Sequence, residues 1–262
     1  IFHKAFDLVN LITKKQDSER DKTIKKYYVN SLNEDIQSKN VLIGNKFKPI
    51  VIAEAGINHN GSVILAKELI NQAVKSGCDY IKFQSYEKNS RVSNKVKSAN
   101  YAELIDGLEE NIGQMFNRYH LSFAEQKEVF KYAKSKKLKI FSTPFDFESA
   151  DFLDKNGVDL FKIASMDLVN LPLIEHVANK NKPVILSTGM SSLSEIDDAV
   201  QVFKKTGNPN LALLHCNSTY PAYIGDMNLM AIKKLKDYYN IPIGLSDHCE
   251  KLDASKIALI CG

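Results

Sequence analysis

Two lysines within apolar stretches are the first residues in this sequence that could do chemistry. Lys82 lies in YIKFQ and Lys162 lies in LFKIAS, and a lysine inside an apolar strand is costly to bury without an anion. Hydroxyl side chains stand at the ends of several apolar runs: Ser142, Thr143, Ser165, Ser187, Thr188, Ser218 and Ser246. Together these residues predict a pocket for a small phosphorylated or carboxylated ligand. The alternative, lysines paired with buried acids such as Glu54, would explain one lysine but not the hydroxyls.

One acid and one histidine accompany the lysines. Glu54 ends the apolar run in PIVIAEAGINHN, so it faces either an active site or backbone donors that satisfy it as a buried acid. His248, beside Asp247 in GLSDHCE, is a possible metal ligand, although a lone histidine is more often a hydrogen-bonded structural residue. We expect His215 in LLHC to be structural, and His59 to contact a ligand or to cap the helix that follows it.

The elements that must position these residues alternate regularly along the chain. Short apolar runs predict seven strands, at 50–54, 79–84, 138–143, 159–164, 183–188, 211–216 and 241–246. Helical patterns separate them, and two of these helices begin with the capping boxes Ser122-x-x-Glu125 and Ser192-x-x-Glu195. Strand–helix alternation predicts a parallel sheet, and seven strands spaced about 20–30 residues apart fit a TIM (β/α)8 barrel.

We therefore assign the chain to the α/β class and expect a TIM barrel that is incomplete at its C-terminus, because only seven of the eight strands are visible. The predicted barrel domain spans residues 41–262. Residues 1–40 carry no recognisable site and are interpreted as an extension or a linker. A strand or hairpin is expected at 41–47, with Gly44 and Asn45 at its turn.

Composition argues against several classes of partner. The chain has 262 residues and no apolar run near the roughly 20 residues of a membrane span. It also lacks a basic-then-apolar leader, so a cytoplasmic protein is expected. The net charge of +4 falls within residues 1–48, which leaves no basic face for nucleic acid. The four cysteines form no CxxC pair, so neither structural zinc nor a disulfide framework is expected. Neither GxGxxG nor a P-loop motif occurs, so the expected ligand is a substrate rather than a nucleotide.

Seven motifs, in their order along the chain, resemble the sialic acid synthases: AEAGINHNG, KFQ, FSTPFD, FKIAS, LSTGM, LLHC-x-STYP and GLSDH. The resemblance runs from about residue 41 to residue 262. These phosphoenolpyruvate-condensing enzymes make N-acetylneuraminate and the related legionaminic and pseudaminic acids. The resemblance implies a C–C bond-forming transferase of the EC 2.5.1 type, which condenses phosphoenolpyruvate with an N-acylated mannosamine-type sugar and releases phosphate.

The resemblance also implies roles for individual residues. Phosphoenolpyruvate would be held by Lys82, Thr143, Lys162, Ser165, Ser187 and Ser246. The sugar site would be lined by Gln84, Asp167, Tyr220 and Asp247. Glu54 would be the acid/base that handles the water or a sugar hydroxyl. His248 would be one of two histidines on a divalent metal, Mn²⁺ or Mg²⁺, that polarises the aldehyde.

The sequence departs from the family pattern at several places. Asp167 stands where many relatives have glutamate, Ser218 stands where some have asparagine, and Cys249 replaces a common threonine. We do not expect the eighth strand, with the second metal histidine, within residues 41–262. The same holds for the C-terminal antifreeze-like domain that the resemblance implies, which closes the partner's site in the family homodimer. Which nonulosonic acid is made stays open, because the sugar's substituents would meet that C-terminal part and the long 85–120 connection.

Two other functions also stay open. Another phosphoenolpyruvate-dependent barrel aldolase would share the lysine and serine chemistry but would need a second basic cluster. The three arginines, Arg20, Arg91 and Arg118, form no such cluster in the sequence. A catalytically incompetent fragment or assembly subunit is the other possibility, because a barrel without its eighth strand exposes two unpaired edges.

Overall fold

The computed structural model of the protein describes residues 32–88, 90–91 and 112–261. Strands alternate with helices through most of this part of the chain, as the sequence predicts. Most of the predicted extension lies outside the described residues, and so does the middle of the 85–120 connection.

Short strands and helices of ordinary length make up the described residues. The strands are β1 (Ile36–Ser38), β2 (Val41–Ile43), β3 (Ile52–Gly56), β4 (Tyr80–Ser85), β5 (Lys139–Pro144), β6 (Phe161–Ile163), β7 (Val184–Ser187), β8 (Leu211–Cys216) and β9 (Ile243–Ser246). The helices are α1 (Val63–Lys75), α2 (Ile112–Arg118), α3 (Phe123–Ser135), α4 (Phe147–Lys155), α5 (Leu171–Ala178), α6 (Leu193–Lys205), α7 (Met230–Tyr239) and α8 (Asp253–Cys261). None of these described helices is both long and apolar enough to span a membrane.

Local capping signals determine where several helices begin. Both predicted capping boxes are present: the hydroxyls of Ser122 and Ser192 accept the backbone N–H three residues on, at the starts of α3 and α6. Ser62 caps α1 by accepting the N–H of Leu65, and Pro172 lies in the first turn of α5. These contacts satisfy backbone donors that have no partner inside the helix. They therefore fix where each connection ends and its helix begins.

Residues 50–158 form one compact unit around a parallel sheet of order β3-β4-β5. Apolar side chains pack this sheet, and the rings of Tyr80 and Phe141 meet edge to face with centroids 5.7 Å apart. The β3–β4 register shifts between Glu54 and Gly56, which is a bulge-like irregularity. Gly56 has φ of +52°, a conformation that glycine adopts without steric cost. Bulges of this kind re-aim side chains at strand ends, and this one lies beside Glu54.

The second unit combines the described residues before position 50 with those from 159 onward. Its parallel sheet has the order β6-β7-β8-β9, and β1 and β2 form a separate antiparallel hairpin. The predicted hairpin turn at Gly44 and Asn45 is wrong, because β2 pairs with β1, which precedes it. Lys39, with φ of 39°, and the following residue make the turn instead.

The hairpin segment is bound to the end of the sheet where the strands begin. The backbone N–H of Asn33 donates to the carbonyl of Pro209, just before β8, at 2.8 Å. Asn240, just before β9, donates from its amide to Glu34 at 2.6 Å. The hairpin therefore covers the amino ends of the strands, which leaves their carboxyl ends for a site.

All seven predicted core strands are present, as β3 to β9. They are hydrogen-bonded as a three-stranded and a four-stranded parallel sheet. Within the described residues, the expected barrel is thus observed as two parallel sheets and not as a closed ring of strands.

Candidate active site

In each unit the predicted site residues lie within the parallel strands or just beyond their carboxyl ends. This edge is where loops leave the strands of α/β folds, and it is the usual position of their active sites.

In residues 50–158, Lys82 is paired with the acid that precedes it in the sheet. Its Nζ lies 2.8 Å from Oε2 and 3.0 Å from Oε1 of Glu54, and 3.3 Å from Oγ1 of Thr143. The lysine is 8% exposed, whereas the Glu54 side chain is 53% exposed. The pairing of Lys82 with Glu54 that the alternative explanation proposed is therefore observed, but the acid is half exposed and not buried. The role of Lys82 toward an anionic ligand stays a prediction. Because Glu54 bridges a buried cation and solvent, its carboxylate is accessible for proton exchange with a ligand.

The bulge at Gly56 leaves space between two functional side chains. A Cβ added to Gly56 would lie 3.1 Å from Oε1 of Glu54 and 3.6 Å from Nε2 of Gln84. The carboxylate and the amide nitrogen therefore flank the same small volume at the end of β3 and β4. An acceptor and a donor so placed match a ligand group that both donates and accepts, such as a hydroxyl.

In the second unit, Lys162 lies in β6 and is 7% exposed. Its Nζ donates to Oγ of Ser187 at 2.5 Å and to the carbonyl of Ile163 at 3.3 Å. A buried ammonium is thus held beside a hydroxyl at the carboxyl end of the neighbouring strand. The anion-binding role of Lys162 stays a prediction.

Gly189 fits closely among the side chains that follow β6 and β8. Its backbone N–H donates to Oγ of Ser165 at 3.0 Å. A Cβ at this position would lie 2.4 Å from Oγ of Ser218 and 2.9 Å from Oγ of Ser165, closer than real Cβ atoms approach. Only glycine allows the two hydroxyls to keep these positions, and the Ser165 hydroxyl is oriented by the backbone.

His248 is fixed by both ring nitrogens. Nδ1 lies 2.6 Å from the carbonyl oxygen of Asn217, which can only accept, so Nδ1 carries the hydrogen. Nε2 is then the acceptor for the hydroxyl of Tyr220 at 3.0 Å, and the two rings stack with centroids 4.0 Å apart. Oγ of Ser246 lies 3.5 Å from the same nitrogen. This tautomer presents a lone pair at Nε2, the form in which histidine binds metals.

The donor set around this histidine does not by itself make a metal site. Among the residues that the structure describes, no group of three His, Cys, Asp or Glu side chains could hold a metal ion. His248 therefore offers one ligand, and the fit to a divalent metal rests on its tautomer alone.

The two predicted acidic sugar ligands are placed differently from each other. Asp247 accepts the N–H of Cys249 at 2.9 Å and the hydroxyl of Ser255 at 2.5 Å, so its carboxylate ties the strand end to α8. Asp167 ends a single 3-10 turn, Ser165–Asp167, that directly follows β6. The sugar-contact role of each stays a prediction.

The other two histidines singled out in the sequence are buried in their units. His59 is 2% exposed, and its Nδ1 accepts the N–H of Gly61 at 3.1 Å. Burial lowers the pKa of His59 to about 4, so this ring is neutral at physiological pH. His215 lies 2.5 Å from the carbonyl of Met227, and burial lowers its pKa as well. The structural role predicted for His215 is confirmed.

Three residues at these strand ends were missed by reasoning from sequence. Cys216 lies 3.9 Å from Nδ1 of His248. Burial alone would raise the pKa of this thiol, but hydrogen bonds from His248 and Ser165 and the charges nearby lower it overall. Asn217 holds His248 through a backbone carbonyl, which no side-chain pattern can reveal. Arg91 donates to Gln84 at 2.7 Å. The sequence offered no indication of this contact beyond the position of Arg91 in the long 85–120 connection.

Comparison with known proteins gives consistent matches. The chain matches the NeuB family over residues 69–262. It is 42% identical over 217 residues to the N,N′-diacetyllegionaminic acid synthase of Campylobacter jejuni, which covers 82% of this chain and 65% of that protein. It is 34% identical over 203 residues to the pseudaminic acid synthase of Helicobacter pylori, with 76% and 59% covered.

A solved structure agrees with these relatives. The N-acetylneuraminic acid (sialic acid) synthetase of Leptospira borgpetersenii, in complex with citrate, matches with a TM-score of 0.79 and 34% identity. The match covers 89% of this chain and 76% of that one, and it supports a TIM-barrel-like fold. The chain spans 59–65% of the length of the first curated relatives that it matches.

Proposed function

The chain belongs to the NeuB family, and from that premise we propose that it condenses phosphoenolpyruvate with an N-acylated amino sugar of the mannosamine type. The products would be a nonulosonic acid and phosphate. Relatives named as legionaminic and pseudaminic acid synthases support a phosphoenolpyruvate-condensing enzyme that acts on an amino sugar. The observation that carries the proposal is Lys162, a buried cation in β6 whose Nζ lies 2.5 Å from Oγ of Ser187, at the carboxyl end of the neighbouring strand β7.

In this proposal Lys162 binds an anionic group of phosphoenolpyruvate. A phosphate or carboxylate oxygen would accept a charge-assisted hydrogen bond from this buried ammonium. The hydroxyls of Ser165, Ser187 and Ser246 would donate to the same anion. Because they are already held at the strand ends, they need little reorganisation when the ligand binds.

Within residues 50–158, Lys82 and Thr143 have the same proposed role toward phosphoenolpyruvate, and Glu54 handles protons. The ion pair supports this division, because Lys82 keeps the Glu54 carboxylate in place beside Gly56. A carboxylate that is half exposed and adjacent to an amide can exchange a proton with water or a sugar hydroxyl.

The proposed reaction balances without a redox step. C3 of phosphoenolpyruvate forms a bond to the aldehyde carbon of the open-chain sugar, and the aldehyde oxygen takes up a proton to become a hydroxyl. Water adds at C2 and gives up a proton, for which Glu54 is the proposed acceptor. The C–O bond to phosphate then breaks, and the keto group of the product forms.

A divalent metal, when bound, would polarise the aldehyde as a Lewis acid. His248 is the proposed ligand on this chain, because its Nδ1–H is held by the Asn217 carbonyl and the lone pair is on Nε2. A metal at Nε2 would take the place of the Tyr220 hydroxyl that this nitrogen accepts. Gln84, Tyr220, Asp167 and Asp247 are the proposed sugar contacts. A homodimer, which the family resemblance implies, is likewise a proposal.

The nature of the sugar can be narrowed by the chemistry of the products. Phosphoenolpyruvate contributes no nitrogen, so an N,N′-diacetylated product requires that both acetamido groups are already on the sugar. The identity of 42% to the N,N′-diacetyllegionaminic acid synthase favours a diacetamido sugar as substrate.

The test is phosphate release from phosphoenolpyruvate in the presence of Mn²⁺, with and without a sugar. N-acetylmannosamine and a diacetamido hexose are compared at equal concentration, and the diacetamido sugar is expected to give the faster release. Release that does not depend on any N-acyl sugar would refute the proposed function. It would favour a catalytically incompetent fragment or an assembly subunit instead.

A further inference from the structure

We propose that Arg91 is a positioning residue, which orients the side-chain amide of Gln84 so that its two N–H bonds face the sugar beside Glu54. This inference rests on the proposed function, and it adds a residue that the family motifs do not contain. All of the residues involved lie within the unit of residues 50–158.

Arg91 is held between aromatic rings. Its guanidinium carbon lies 3.8 Å from the ring centroid of Phe116 and 3.8 Å from that of Phe145, and 5.2 Å from that of Tyr86. The Tyr86 hydroxyl donates to the backbone carbonyl of Phe116 at 2.8 Å, so two of the three aromatic residues are also hydrogen-bonded to each other. A planar guanidinium packed on two rings loses most of its freedom and gains cation–π attraction. The arginine is therefore a rigid donor and not a mobile surface cation.

The backbone that leads to Arg91 is also fixed. Asp146 accepts the N–H of Glu87 and the hydroxyl of Ser90, each at 2.9 Å, with one carboxylate oxygen. Its other oxygen accepts the N–H of Ser149 at 2.7 Å and caps α4. The turn before Arg91 is thus tied to the start of α4, directly after β5. This places the guanidinium at the carboxyl end of the sheet.

The hydrogen bond from Arg91 to Gln84 determines the orientation of the Gln84 side-chain amide. Nη1 of Arg91 lies 2.7 Å from Oε1 of Gln84. Arginine has donors only, so the amide oxygen must face the guanidinium and the NH₂ group must face away. The amide nitrogen is then the atom next to Gly56, on the side of Glu54.

This orientation sets the chemistry that the sugar meets. Glu54 presents an acceptor and Gln84 presents two donors, which together suit a hydroxyl or the carbonyl oxygen of an N-acyl group. With a flipped amide, two acceptors would face the sugar, and one of its oxygens would lose its hydrogen bond. An unmade buried hydrogen bond costs about 1–3 kcal/mol, which corresponds to roughly a 5- to 150-fold loss of affinity.

A double-mutant cycle on KM tests the inference. The variants are Arg91→Leu, Gln84→Ala and the two combined, assayed against the wild type with the sugar and with phosphoenolpyruvate varied in turn. We expect Arg91→Leu to raise the KM for the sugar about tenfold and to leave the KM for phosphoenolpyruvate unchanged. On the Gln84→Ala background, the same change should add nothing, because Arg91 acts through Gln84.

Additive effects of the two substitutions would overturn the inference, because Arg91 would then contact the substrate itself. An unchanged sugar KM in Arg91→Leu would overturn it as well. Lys67→Met is the control: like Arg91, this cation lies over an aromatic ring, here Tyr132, but it pairs with an acid, Glu128, on the helices α1 and α3. It should leave both KM values at the wild-type level.

Two further measurements keep the inference testable if Arg91→Leu folds poorly or the wild type releases no phosphate. Arg91→Lys keeps a donor-only side chain, so it should raise the sugar KM less than Arg91→Leu does. The side-chain ¹⁵N–¹H signals of Gln84 report its hydrogen bond without turnover. They should shift in Arg91→Lys and stay in place in Lys67→Met. Unshifted signals would refute the positioning role, whereas absent turnover in the wild type would refute the proposed function alone.

Discussion

Replacing Lys162 by methionine should separate the binding role of this residue from its effect on stability. Methionine has nearly the same length and no charge, so it fills the site without the ammonium. In the wild type that ammonium is 7% exposed and bonded to Ser187 and to the carbonyl of Ile163. If it binds phosphoenolpyruvate, the variant loses one charge-assisted hydrogen bond to an anion.

The expected sizes of the two effects follow from this environment. A hydrogen bond to a charged group contributes about 1.5–3 kcal/mol, so the KM for phosphoenolpyruvate should rise about 10- to 150-fold. Stability should move the other way or not at all, because burying an apolar side chain of similar volume avoids the desolvation cost of the ammonium. The melting temperature of Lys162→Met should therefore equal or exceed that of the wild type.

The assay combines phosphate release at varied phosphoenolpyruvate with thermal unfolding of each protein. Lys204→Met is the control, because burial lowers the pKa of Lys204 and this lysine lies in the last turn of α6. It should share any gain in stability and keep the wild-type KM. A folded Lys162→Met variant whose KM for phosphoenolpyruvate equals that of the wild type would refute the anion-binding role.

Three other changes give separate tests. Glu54→Gln keeps the hydrogen bond to Lys82 but removes the proton acceptor, so kcat should fall about 10²- to 10⁴-fold in steady-state assays; an unchanged kcat would contradict the acid/base role. EDTA should suppress turnover and Mn²⁺ should restore it in the wild type but poorly in His248→Ala; turnover that survives EDTA would argue against a metal ligand at His248. The pKa of His59 is about 4 in the folded protein and near 6.5 in the unfolded chain. Between pH 4 and pH 6.5 the unfolded chain therefore binds more protons, so the free energy of unfolding should fall as the pH drops from 6.5 to 4. Urea unfolding should show this loss, up to about 3 kcal/mol, in the wild type and not in His59→Asn.

The core strands could be predicted because their signals are local. Apolar runs and serine caps determine β3 to β9 and the starts of several helices, and the structure confirms them. The predicted position of the hairpin turn was wrong because glycine is the usual residue for a tight turn, which favoured Gly44. The structure has the turn at Lys39 instead, since β2 pairs with the strand that precedes it. Helix α2 lay unpredicted within the long connection. Its residues Met115 and Phe116 are buried against Tyr86, so a tertiary contact stabilises α2. Such a contact leaves no capping signal in the sequence from which the helix could be predicted.

The site could be predicted only as far as residue type and strand position go. The strand-end acid and lysines were visible in the sequence, but the pairing of Lys82 with Glu54 required the register of two strands. The contact of Arg91 with Gln84 depends on a turn held by Asp146, about 55 positions away in sequence. Such contacts between side chains, or with backbone carbonyls, leave no periodic pattern to read.

The hairpin at the amino ends of the strands has a consequence for the order of folding during synthesis. Asn33 bonds to Asn210, a partner 177 positions later, so this contact must wait until most of the chain has left the ribosome. The unit of residues 50–158 has no such delay, because all of its strands and helices are contiguous. A nascent chain should therefore fold residues 50–158 first and dock its hairpin segment beside β8 and β9 last. Substitutions at Asn33 should then change the unfolding rate more than the folding rate.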